Sequence, residues 1–227
     1  MEAPLEKGVT EFGAGALWAI GQAIALAVPG AFGVHELFAA AALVVVVILF
    51  QVVFYGAGAP NAAVMLAAYV SGEEKSVAAT LRMVLATMAG AVVGAVFARD
   101  TLLHFALPVD GIRPPISFFP EYGSNFVLAL EAVTSLLICS FSLLVLPKRF
   151  FIGLAGLFII PVPAALLGVP GIDPAWSLGR AVAAKNFANN SLYLLGPFGG
   201  ALAFGVACRL GKILKKLTKT SKKKKKN

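Results

Sequence analysis

The chain has 227 residues, 59% of them hydrophobic and 13% charged, with a mean hydropathy of +0.87. A water-soluble domain of this size has no use for so much apolar surface, whereas a helical membrane protein spends about 20 apolar residues on each span. The net charge of +8 is concentrated at one end: from Arg209 onward there are one Arg and nine Lys and no acid, which leaves −2 on the rest and does not read as a nucleic-acid-binding protein.

Taken in order, the chain opens with Glu2, Glu6 and Lys7 ahead of the first apolar stretch, a start unlike a cleavable signal peptide. The first span is then expected to act as the targeting signal. Six transmembrane helices are predicted, at about 11–31, 34–56, 77–99, 124–146, 150–170 and 190–211. Two further apolar pieces, at about 61–71 and 174–184, are too short to cross. Each follows Gly and Pro residues and lies between the second and third span of its half. Such broken segments at corresponding places point to a site at the bilayer centre.

The two halves also match in sequence. Glu11-Phe12 opens span one and Glu131-Ala132 opens span four, 120 positions on; Asn61 and Asp173 are 112 apart; Gly90–Ala95 and Gly196–Ala201 are 106 apart. This is an internal duplication, with repeats at about 8–99 and 124–211 in a single domain over 1–211 and a basic tail at 212–227. Three spans per half make the second repeat enter from the opposite side, so the topology is inverted. Lys148, Arg149 and the tail lie on one side, whereas the link at about 100–123 is net acidic through Asp100, Asp110 and Glu121 against Arg113. By the positive-inside rule both termini face the cytosol.

The segment Asp173-Pro174-Ala175-Trp176-Ser177-Leu178-Gly179-Arg180-Ala181-Val182 resembles the second Asn-Pro-Ala box of the aquaporin family, Asn-Pro-Ala-Arg-Ser-Phe-Gly-Pro-Ala-Val. The likeness continues through Asn186-Phe187, Tyr193, Gly196-Pro197 and Gly199–Ala203, and Gly58–Val64 is similar to the first box. The resemblance covers about residues 8–211, and the Lys-rich tail and loose first box are most like the small basic intrinsic proteins, an endomembrane branch. It implies an all-α membrane protein with six transmembrane helices and two re-entrant half-helices in an inverted repeat. It also implies a homotetramer, each protomer passing water or a small neutral solute.

The family pattern further implies site roles. Asn61, Ala62 and Ala63 form the first box and Asp173, Pro174 and Ala175 the second. Asn61 can cap its half-helix through the side-chain oxygen and present its amide as a donor. Ala62 replaces a Pro that is favoured but dispensable at a first helical position. Asp173 caps equally well, but an ionised carboxylate only accepts hydrogen bonds. Two half-helix N-termini give about +1 of effective charge, which one ionised Asp nearly cancels. Trp176 stands where the family has its filter Arg, and either plugs the pore or turns into the helix packing. Pro161 and a residue near Ala41, Ala42 or Leu43 are the other filter positions, Ala42 being the central choice. Glu11 and Glu131 are expected to support the half-helices, and Arg180 is one candidate for lining the vestibule and replacing part of the missing filter charge.

The remaining residues are read plainly. Cys139 and Cys208 lie in apolar stretches as buried free thiols, and His35 and His104 as surface histidines. No metal, cofactor or nucleophile–base constellation is present in the sequence, so an enzyme is not expected. The tail is suited to anionic lipid, and Lys224-Lys225-Lys226-Asn227 also fits a dilysine pattern for retention in the endoplasmic reticulum. Two competing functions remain: a poorly conducting structural or partner-binding subunit, motivated by Trp176, and an ion or weak-electrolyte leak channel, motivated by Asp173.

Overall fold

The computed structural model describes residues 4–31, 61–107, 109, 123–149, 152, 155–156 and 173–224, and the side chains of 9–23 and of 173–218 within the first and last of these segments. The described residues are helical, with no strand among them. The helices are α1 (Pro4–Ala31), α2 (Ala62–Ser71), α3 (Val77–His104), α4 (Gly123–Ser140, continued by a π-helical turn at Phe141–Val145), α5 (Pro174–Ala183) and α6 (Asn190–Lys224). Three of them, over Val77–His104, Gly123–Val145 and Asn190–Thr218, are long and apolar enough to cross a membrane, as an α-helical membrane protein requires. The predicted spans at 34–56 and 150–170 lie outside the described residues, apart from Ile152, Ala155 and Gly156.

Local sequence explains where the helices begin and end. Asn61 and Asp173 have extended backbones and accept main-chain N–H bonds at the starts of α2 and α5, the geometry of an N-cap. Pro174 follows as the first residue of α5, where its missing N–H costs nothing. Gly72 ends α2 with φ +80°, and Glu73 N–H returns to the Ala68 carbonyl at 2.9 Å, a left-handed C-terminal stop. Ser76 caps α3 by accepting from Ala79 N–H at 3.1 Å. The last helix departs from the expected limit at 211 and continues to Lys224. After Gly211 no Gly or Pro interrupts the Lys-rich stretch, and Lys is a good helix former.

The packing repeats itself across the two halves. α1 lies along α3, and α4 lies along α6; α5 packs on α3, and α2 on α6. Each short helix therefore rests on the last long helix of the other half. Small residues set the close approaches. A Cβ at Gly90 would meet the Phe12 carbonyl and one at Gly94 the Ala16 carbonyl; at Gly196 and Gly200 it would meet Glu131 Cβ with the Leu128 carbonyl, and the Ala132 carbonyl. Small residues at this spacing let helix backbones approach without an intervening side chain.

These contacts correct the repeat alignment at its glycines. A Cβ at Gly90 would meet the Phe12 carbonyl and the Ala16 nitrogen, and one at Gly200 the Ala132 carbonyl and the Leu136 nitrogen, so Gly90 matches Gly200 at 110 positions and not Gly196 at 106. Phe12 and Ala16 then match Ala132 and Leu136 at 120, the offset that pairs Glu11 with Glu131. Backbone contact, which small residues control, fixes the register; a glycine pattern shared in the sequence does not.

Candidate functional site

The two short helices define the interior. Each has ten residues, and their caps, Asn61 and Asp173, are 112 positions apart as the repeat requires. Their C-termini lie at opposite ends of the bundle. Ser71 is tied to Lys212 in the C-terminal half of α6, and Ala183 is tied to Arg99 near the end of α3. Since α3 starts six residues after Ser71 and α6 starts seven after Ala183, α2 and α5 point in opposite directions. Ala62 and Ala175, at their N-terminal ends, belong to one buried apolar cluster. At 1.5 Å per residue each short helix is about 15 Å long, so the pair together spans roughly 30 Å, close to a hydrocarbon core.

At the centre, the Asn61 oxygen accepts from Ala63 N–H at 2.9 Å and Val64 N–H at 3.3 Å. One Asp173 oxygen accepts from Ala175 N–H at 3.0 Å. Its other oxygen is buried and makes no hydrogen bond among the described residues. Both side chains are buried, Asn61 at 8% and Asp173 at 6% exposure. The Trp18 indole of α1 lies near the Asp173 carboxyl. Trp18 was not singled out from the sequence, because an aromatic in an apolar span carries no local signal of such a role.

Trp176 takes up packing space between α1, α3 and α5, in the cluster containing Ala19, Ala23, Ala91, Ala95 and Ala98. Those alanines leave the room its ring fills. Arg180, one turn along α5, is also buried and sits over the Trp176 ring with its guanidinium carbon 5.8 Å from the centroid. That distance is within cation–π range. Arg180 and Trp176 therefore form one unit on the inner side of α5, not an exposed vestibule charge.

Glu131 and Glu11 are not equivalent in their surroundings. Glu131 is fully buried on α4 against Gly196, and the Tyr193 hydroxyl lies within electrostatic reach of both Glu131 and Arg180. Glu11 is only half-buried. A neighbouring bond joins the same pair of helices: Ser135 Oγ donates to the Pro197 carbonyl at 2.8 Å. Thr87 Oγ1 approaches Met65 Sδ at 3.7 Å, linking α3 to α2. Cys139 is buried and Cys208 half-buried, both as free thiols, and His104 is exposed with its ring edge-on to Phe105. Pro161, Ala41, Ala42, Leu43 and His35 lie outside the described residues.

Two ties at the outer ends of the short helices were not foreseen. Arg99 donates to the Ala183 carbonyl and pairs with Asp100 at 2.7 Å; Lys212 donates to the Ser71 carbonyl at 3.1 Å and pairs with Glu73 at 2.6 Å. Each places a cation on the carbonyl end of a helix, where the dipole is negative. A sequence signal existed for Arg99, the first cation to follow the apolar run of its span, whereas Lys212 comes second, after Arg209. Among the described residues no group of three His, Cys, Asp or Glu could hold a metal.

No family model matches the chain, and no curated protein matches it.

Proposed function

We propose that the chain is an unorthodox member of the aquaporin family, with six spans and two re-entrant half-helices, and that each protomer conducts water or a small neutral solute. The observation that carries this reading is the pair of ten-residue helices running in opposite directions, with buried caps at Asn61 and Asp173 and their N-terminal alanines in one cluster. Amide N–H groups and dipole ends converging at mid-depth give a permeant solute donors in place of lost water. In this reading a homotetramer sits in an endomembrane with both chain ends in the cytosol.

A second reading, a leak path for small ions, is favoured by one specific observation. Asp173 puts a buried carboxyl at the point where two helix N-termini would otherwise repel cations. An acid inside a membrane is costly and is a functional candidate for that reason.

Purified full-length protein in liposomes separates the readings. Osmotic shrinkage faster than in empty liposomes, with no added proton or cation flux, is expected of the neutral-solute channel. Added cation flux that Asp173→Asn abolishes supports the leak path. Shrinkage and ion flux both equal to empty liposomes would overturn both readings and favour a structural subunit.

A further inference from the structure

We propose that the part of α6 beyond Gly211 is a docking surface for an anionic bilayer leaflet, held at headgroup depth by the Lys212 tie. This inference rests on the reading of α2 as a re-entrant helix, and not on whether the pore conducts.

The helix is amphipathic beyond its span. Leu210, Ile213, Leu214 and Leu217 recur at the spacing of a single helical face, and they are between 48% and 62% exposed. That face continues the exposed stripe of Leu195, Leu202 and Val206 along the spanning part of α6, which only lipid or another apolar partner would cover. Lys212 lies on the opposite side of the helix, at the edge of the bundle, where it is used by the Ser71 carbonyl and Glu73. The apolar stripe therefore faces outward from the molecule. Arg209, Lys215 and Lys216 are exposed, and the sequence adds Lys219 and Lys222–Lys226.

The Lys212 tie sets the depth. It joins α6 to the polar stop of α2 at Ser71 and Gly72, the level where the short helix leaves the apolar layer. Leu217 is five residues further, about 7.5 Å along the axis. The interfacial layer on each side of a bilayer is roughly 5–8 Å deep. The outward leucines thus lie among headgroups, with the lysines at or just above them. A basic helix with an apolar stripe is suited to an interface rich in acidic lipid. A second copy of the same helix would bring like charges together, and soluble phosphate would leave the apolar stripe uncovered.

The test uses the full-length protein in nanodiscs of phosphatidylcholine alone or of phosphatidylcholine with phosphatidylserine. The readout is the rate of tryptic cleavage between Arg209 and Lys219. Phosphatidylserine is expected to slow cleavage by about fivefold or more, the effect of one lysine held at an acidic surface. Ile213→Ser with Leu217→Ser should remove most of that protection, and Lys215→Gln with Lys219→Gln should remove part of it. Ile213, Lys215 and Leu217 are exposed, and unchanged elution of the purified variants confirms that the bundle is intact. Equal rates in the two lipids would overturn the proposal. So would protection in phosphatidylcholine alone that rises with protein concentration, which marks a second copy. Equal protection by soluble phosphoserine, or by a soluble acidic peptide, would overturn the commitment to a bilayer.

Discussion

Asn61 and Asp173 do the same local work with different chemistry. Each oxygen cap satisfies N–H groups at the start of a buried ten-residue helix. Removing such a cap costs about 1 kcal/mol. Asn61→Ala and Asp173→Ala are each expected to lower thermal stability in detergent by that amount. Asp173→Asn should leave stability close to wild type, since Asn and Asp cap equally well, while removing the negative charge. A thermal scan of the three variants checks this, and a large loss for Asp173→Asn would show that the charge is held by more than a capping bond. Trp176 and Arg180 illustrate a different point: the ring fills space that a row of alanines leaves, and the cation takes its place on the ring.

Helix pairs are held by glycine contacts, and these too can be broken selectively. In α6, a Cβ at Gly200 would meet the Ala132 carbonyl, whereas one at Gly199 meets nothing within 4 Å. Gly200→Leu is therefore expected to push α4 from α6 and destabilise by about 1–3 kcal/mol or more. Gly199→Leu, one residue away, should be neutral or slightly stabilising, because Gly is a poor helix former. Equal effects in a denaturation series would refute the close packing of these helices. The Ser135 bond to the Pro197 carbonyl supports the same interface beside a proline that cannot donate its own N–H.

Among the described residues, Arg99 and Lys212 tie opposite ends of the bundle. The tie of Lys212 to Ser71 and Glu73 joins the last helix to the link between α2 and α3, and holds Glu73 below its ordinary 4.5 through the hydrogen bond and charge of Lys212. A carboxyl lowered in the folded state stabilises above its unfolded value and loses that contribution as pH falls through the folded one. Acidification below about 4.5 is thus expected to loosen the tie, and Glu73→Gln should remove that pH dependence. Amide exchange of residues 71–76 measured across this range checks it; exchange in the wild type that ignores pH, after correction for intrinsic rates, would contradict the role of Glu73. The pair is exposed, so its contribution is small, a few tenths to about 1 kcal/mol.

The sequence alone determined the helical class, the limits of α2 and α5 to within a residue, and the equivalence of Asn61 with Asp173. These follow from apolar run length and from capping residues, which act on their immediate neighbours. It also exposed Gly90, Gly94, Gly196 and Gly200 as a repeated pattern. What it could not decide was register and partnership between distant segments. The match of Gly90 to Gly196 was off by a turn, because glycines repeated along a helix do not report which backbone atoms touch. Trp18 beside Asp173, Arg180 on Trp176, and the cations on Ser71 and Ala183 are meetings of residues far apart in the chain. Only tertiary packing brings such groups together, since contact between helices depends on rotation and depth that no local pattern records.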